Sequence, residues 1–242
     1  MSGHSHWATI KHKKGLEDAK KGKIFSKFAR EITIAAKEGG TDLSSNSKLR
    51  MVIDRARAVN MPKENIERAI AKSAGSSELD NLKESVFEVI KDDAAIIIET
   101  ITDNSNRALS EIKKVLNKEG GKLVAEGAIK WMFEKKSVFI IDLEQNKNFK
   151  KDDLEMISID IGADDMSCDE NDFYVYGNIQ DFENIKKGLE SKGISIKSAN
   201  LEWVAKESKE IPAESQESIK KLLEALEDLD DVQNVYTNAE LS

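Results

Sequence analysis

The chain has one cysteine, two prolines and three histidines in 242 residues, and each scarcity excludes something. Cys168 alone makes neither an intramolecular disulfide nor a cysteine-rich zinc site, which fits a reducing compartment. The histidines His4, His6 and His12 sit together near the start, short of the three or four fixed ligands that a stable metal site needs. No long apolar run exists. The longest is Ala94–Ile98, far below the roughly eighteen residues that cross a bilayer. The opening Met-Ser-Gly-His-Ser-His-Trp lacks the apolar core of a secretion signal, and Glu17 and Asp18 suit a transit peptide badly. The expected location is the cytoplasm, with no membrane partner.

Signatures of catalysis are missing as well. There is no dinucleotide glycine fingerprint, no H-E-x-x-H and no G-x-S-x-G elbow. Gly15 and Gly22-Lys23 imitate a phosphate loop, but six residues separate the glycines instead of four, and Ile24 replaces the Mg²⁺-binding hydroxyl. The acidic pairs Asp92-Asp93, Asp164-Asp165, Asp169-Glu170 and Asp230-Asp231 read as solvated turns, because none has the spacing of a cation loop. Cys168 reads as a small packed strand residue. The expectation is a protein that is not an enzyme, with no cofactor, metal or small-molecule substrate.

What the chain does have is charge divided unevenly. The net charge is −8 overall, which by itself argues against a polyanion partner. Residues 1–75 reverse that, holding sixteen Lys and Arg against eight Asp and Glu, while the remainder holds twenty-one against thirty-seven. A basic head of +8 precedes an acidic body of −16. Five of the six arginines, all but Arg107, lie in the head, and their planar forks match phosphate geometry. Such asymmetry points to nucleic acid.

Within the head, Phe25, Phe28, Ala29, Ile32, Ala35 and Ala36 recur at helical spacing up to a stop at Gly39-Gly40. Leu49, Val52, Ile53 and Ala56 repeat the pattern behind the capping candidates Ser44, Ser45 and Asn46. Pro62 opens a third helix carrying Ile66, Ala69 and Ile70. The candidate nucleic-acid contacts are Trp7, Lys11, His12, Lys13 and Lys14 in the lead, and Lys20, Lys21, Lys23, Lys27 and Arg30 on the first helix. Arg50 and Arg57 on one shoulder of the second helix, Lys48 and Arg55 on the other, then Lys63 and Arg68 complete the set. The competing readings are that these lysines only solvate helix faces, and that Trp7 packs on the helices instead of stacking on a base.

Beyond Gly75 the chain alternates β-branched runs with helical segments. Residues 137–206 read as β-α-β-β-α-β, the ferredoxin-like order. Residues 95–134 read as β-α-β-β: a strand Ala95–Ile101, a helix capped by Asp103 or Asn104, and strands at Lys122–Ala125 and Ala128–Glu134. That unit lacks an αβ pair, and 210–240 supplies one, with Ile219, Leu222, Leu223, Leu226 and Leu229 as its apolar stripe. The expected architecture is α+β and multidomain: an N-terminal three-helix domain (1–75), a discontinuous ferredoxin-like domain (80–135 plus 207–242), and a second ferredoxin-like domain (136–206) inserted in it.

Several segments carry a family resemblance. Gly3–Lys14, Asp18–Phe25, Arg30-Glu-Ile-Thr, Asn60–Ile70, Thr102-Asp103-Asn104, Trp131-Met132-Phe133 and the tail Leu226–Glu240 resemble the YebC/PmpR family, which includes the mitochondrial translational activator of cytochrome oxidase. The resemblance covers essentially the whole chain and implies one helical and two ferredoxin-like domains. It also implies a regulator of gene expression, either a DNA-binding transcriptional regulator or an RNA-binding translation factor that works at the ribosome and relieves stalling. In one place the chain departs from the family pattern. Where the family carries a Gly-Tyr-Gly-Pro-Gly-Gly turn, this chain has Val89-Ile90-Lys91-Asp92-Asp93.

Overall fold

The computed structural model describes residues 18–73 and 82–241, and these divide into two compact units. One is Met132–Ser208; the other holds the remaining described residues.

The larger unit begins with three helices, α1 (Asp18–Gly39), α2 (Ser47–Ala58) and α3 (Lys63–Ser73). Their apolar stripes meet in one core built on Ile32, Ala35 and Ala36 of α1, Leu49, Val52, Ile53 and Ala56 of α2, and Ile66 and Ala69 of α3. Asn46 joins the first two helices. Its carboxamide oxygen accepts from the Leu49 N–H at 2.9 Å and caps α2. Its amide donates to the Ala35 and Gly40 carbonyls, both at 2.7 Å, closing the end of α1. A Cβ at Gly39 would lie 2.6 Å from that side chain, so glycine stands there to admit Asn46.

The same unit continues with β1 (Lys83–Lys91), β2 (Ala94–Thr102), α4 (Ser105–Glu119) and β3 (Lys122–Leu123). After the inserted unit it resumes with β8 (Lys209–Glu210), α7 (Ala213–Glu227), β9 (Val232–Thr237) and β10 (Ala239–Glu240). The sheet order is β3-β1-β2-β9, all antiparallel. Helices α4 and α7 cover one face through Ile112, Leu116, Ile219, Leu222, Leu223 and Leu226, which meet Ile96 and Ile98 of β2. On β2, Ile97 is fully buried too, and α1 also lies against this strand. Burial of both faces explains why β2 reads as a continuous apolar run.

The unit Met132–Ser208 contains β4 (Phe133–Asp142), α5 (Lys151–Asp160), β5 (Asp165–Cys168), β6 (Asp172–Gly177), α6 (Phe182–Ser191) and β7 (Ser198–Ala205). Its antiparallel sheet runs β5-β6-β4-β7, the ferredoxin-like order. Phe133 pairs with Ala205 and the Lys206 N–H donates to the Met132 carbonyl at 2.9 Å, so the chain enters and leaves this unit side by side. That adjacency lets it stand as an insertion without disturbing its host. The two sheets share one spatial plan: β1 holds in the first the place that β6 holds in the second, although β1 precedes β2 in the chain. The fold is α+β, a three-helix domain followed by two ferredoxin-like domains, one inserted in the other.

Three expectations need correction. Residues 128–134 are not a strand of the first sheet: Lys130–Met132 is a 3₁₀ turn and Phe133 starts β4. The segment's apolar residues imitate a strand, but its amides are taken by a carboxylate described below. The sheet's missing partner is β1, which has a buried Glu88 and Lys91 in place of clean alternation. Cys168 is exposed rather than packed, because it ends the short edge strand β5.

Candidate nucleic-acid interface

On α1, Lys23, Lys27 and Arg30 fall four and three residues apart, hence on one face. All three meet the C-terminal end of α7. The Lys23 ammonium donates to the Asp228 carbonyl and lies 3.4 Å from the Asp230 carboxylate. Lys27 donates to the Glu227 carbonyl at 2.6 Å. The Arg30 guanidinium donates to the Asp230 carbonyl and stands 3.3 Å from the Asp231 carboxylate. A helix ends with unpaired carbonyls and a partial negative charge, and these cations satisfy both.

Three more cations are engaged within the head or between it and the sheet. Lys48 bridges Glu38 at 2.8 Å and Glu84 of β1 at 3.0 Å. Burial lowers its pKa, but the two carboxylates more than offset this and hold it above the ordinary lysine range. Arg55 pairs with Glu31 at 2.6 Å and lies over the Phe28 ring, 5.4 Å from its centroid. Arg50 donates to the Leu43 carbonyl.

The exposed cations form a different group. Arg57 (61% exposed) faces Asp54 at 3.8 Å, and Lys63 (85% exposed) faces Glu67 at 3.5 Å. Exposed pairs at such distances are worth about 0–1 kcal/mol, so a phosphate can replace either carboxylate. Arg68 and Lys72 are exposed one turn apart on α3. Lys21 is also exposed at the start of α1. Lys20 lies on α1 with its side chain outside the described ones, and Trp7, Lys11, His12, Lys13 and Lys14 lie outside the described residues.

Among the described residues no group of three or more His, Cys, Asp and Glu side chains could hold a metal ion. No described helix is long and apolar enough to cross a membrane.

Two family models match the chain, the TACO1/YebC protein N-terminal domain over residues 5–76 and the TACO1/YebC second and third domain over residues 82–239. This chain belongs to the TACO1/YebC family. A probable transcriptional regulatory protein of Thermoanaerobacter pseudethanolicus is 43% identical over 242 residues, covering all of this chain and 98% of that protein. One from Brachyspira hyodysenteriae is 43% identical over 244 residues, with 100% and 98% covered. The crystal structure of a conserved hypothetical protein from Aquifex aeolicus matches with a TM-score of 0.88 at 38% identity, over 98% of each chain.

Within this TACO1/YebC chain, two of the segments carrying the resemblance are tied together at Asp231, a contact that sequence reading missed, while the cap expected of Asp103 or Asn104 is Asn104. Thr102 donates to the Asp231 carboxylate at 2.9 Å, and Asn104 caps α4 by accepting from the Arg107 N–H at 3.0 Å. Asp231, read as part of a solvated acidic pair, is 2% exposed. Its partners Arg30, Thr102 and Arg107 come from three distant elements, so no local pattern could reveal it.

Glu88 is the second residue that sequence reading passed over. Buried on β1, its carboxylate accepts the N–H groups of Gly127, Ile129 and Lys130. Burial raises its pKa, but these three donors and the Lys130 charge outweigh it and leave the carboxyl below the usual glutamate range. The loop before the inserted unit is thereby fixed to the sheet.

Proposed function

We propose that this chain is a non-enzymatic, cytoplasmic, nucleic-acid-binding regulator of gene expression. One observation carries the reading: the basic head divides its cations into a set that docks on the acidic body and a set that faces outward. Lys23, Lys27, Arg30 and Lys48 hold head and sheet together. Arg57, Lys63, Arg68 and Lys72 are exposed on α2 and α3 and supply the sequence-independent phosphate contacts that dominate such affinity. The sequence before α1 carries further cations, Lys11, Lys13 and Lys14. The relatives' names, probable transcriptional regulatory protein, support a role in transcriptional regulation.

The second reading is an RNA- or ribosome-bound translation factor, since phosphate contacts serve DNA and RNA alike. The observation favouring it is an exposed tryptophan, Trp131, of the kind that stacks on unpaired bases. Crosslinking in cells followed by sequencing of the bound DNA and RNA separates the two. Enriched duplex DNA supports the first, enriched RNA the second, and recovery of neither above an untagged control contradicts both.

A further inference from the structure

We infer that Trp131 is a preorganised stacking platform for a base of single-stranded nucleic acid. The inference rests on the nucleic-acid reading above and names a contact outside the basic head.

Trp131 is 67% exposed, and the other described aromatic side chains are buried or half-buried. Tyr174 and Tyr176 illustrate the contrast: both stand on the sheet of the inserted unit, and both are buried. Exposing an indole is unfavourable, and the chain fixes this one in place. Its Nε1–H donates to the Ala128 carbonyl at 2.9 Å, which satisfies its polar group and orients the ring on its own loop. The loop is held in turn by the buried Glu88 carboxylate, through Gly127, Ile129 and Lys130, and by the Val124 N–H donating to the Glu88 carbonyl at 2.9 Å. Gly127 takes a φ of 82°, where a side chain would be strained. A buried carboxylate committed to three loop amides gives the ring a fixed position before any ligand arrives, so little ordering remains to be done on binding.

The surroundings favour a base over a protein. Protein docking needs a contiguous apolar patch, yet the loop neighbour Ile129 is buried and Glu126, Gly127 and Ala128 expose a carboxylate and small groups. Stacking needs only one accessible aromatic face and tolerates any base. Lys130 adjoins the ring in sequence and provides a cation, while Glu126 is the carboxylate that opposes it.

The test is fluorescence anisotropy of a short fluorescein-labelled single-stranded RNA titrated with the full chain. Trp131→Phe, Trp131→Leu and Trp131→Ala are compared with the wild type, with circular dichroism verifying each fold. Phe keeps the aromatic face and should bind within a fewfold of wild type. Leu and Ala should both weaken binding on the order of tenfold, with the slope of log affinity against log salt unchanged because no phosphate contact is lost. Equal affinity for all four proteins overturns the inference and leaves the basic-head reading standing. Wild-type affinity for Leu with a loss only for Ala overturns it in favour of a non-stacking apolar contact with the RNA. Absence of RNA binding by the wild type itself overturns the inference, and the duplex-DNA reading is then decided by the crosslinking above.

Discussion

Arg107 and Asp231 form a forked ion pair across 124 residues of sequence: Nε lies 3.0 Å from Oδ2, and Nη2 lies 3.0 Å from Oδ1 and 2.8 Å from Oδ2. Hydrogen bonds to Asp231 and Asp103 keep the guanidinium pKa raised. The pair joins the start of α4 to the approach of β9, which the inserted unit separates in the chain. Arg30 reaches the same carboxylate from the head, so three segments converge on one buried charge.

Asp231→Asn removes the charge and keeps the shape. Hydrogen bonds to charged groups are worth about 1.5–3 kcal/mol, and a loss of that size is expected in urea unfolding of the full chain. Hydrogen exchange should locate the loss at Ala94–Thr102 and Val232–Thr237, the paired strands β2 and β9.

Glu88 makes the stability of its loop pH-dependent. Its folded pKa lies below the ordinary value of 4.5, so its stabilisation is complete above that value and disappears as pH falls through the depressed one. Amide exchange at Gly127, Ile129 and Lys130 should accelerate on that acid limb. In Glu88→Gln the acid-limb acceleration at these amides should vanish, with faster exchange at neutral pH.

The turn Asp92-Asp93 replaces the glycine-rich turn of the family pattern. Both residues have positive φ, 47° and 64°, in a two-residue link between β1 and β2. Such hairpin turns favour Asn-Gly because side chains resist that region. The double change Asp92→Asn, Asp93→Gly should therefore raise stability by up to about 1 kcal/mol, read as a higher Tm with the fold unchanged.

The architecture was legible where one period ruled each segment. The inserted unit showed because Val138–Ile141, Leu154 and Ile157, and Phe182, Ile185 and Leu189 follow clean strand or helix spacing. The return of 210–240 followed from an apolar stripe with no local partner, and Leu222, Leu223 and Leu226 do enter the first sheet's core. The strand β1 was hidden by Glu88 and Lys91, charges that are buried only because Gly127, Ile129, Lys130 and Glu119 await them from other segments. The same long range obscured the site. Composition located the basic head, but the carbonyl and carboxylate partners of Lys23, Lys27 and Arg30 lie about two hundred residues away. Nothing local separates those docking cations from the exposed Arg57, Lys63 and Arg68.

The most direct measurement is a salt titration of nucleic-acid binding by the full chain and by the triple variant Arg57→Glu, Lys63→Glu, Arg68→Glu. Neutralising six or more phosphates should lower wild-type affinity about a thousandfold between roughly 50 and 200 mM salt. The triple variant should bind more weakly, with a shallower slope and an unaltered circular dichroism spectrum. A flat salt response of the wild type, or a folded triple variant that binds as the wild type does, contradicts the account.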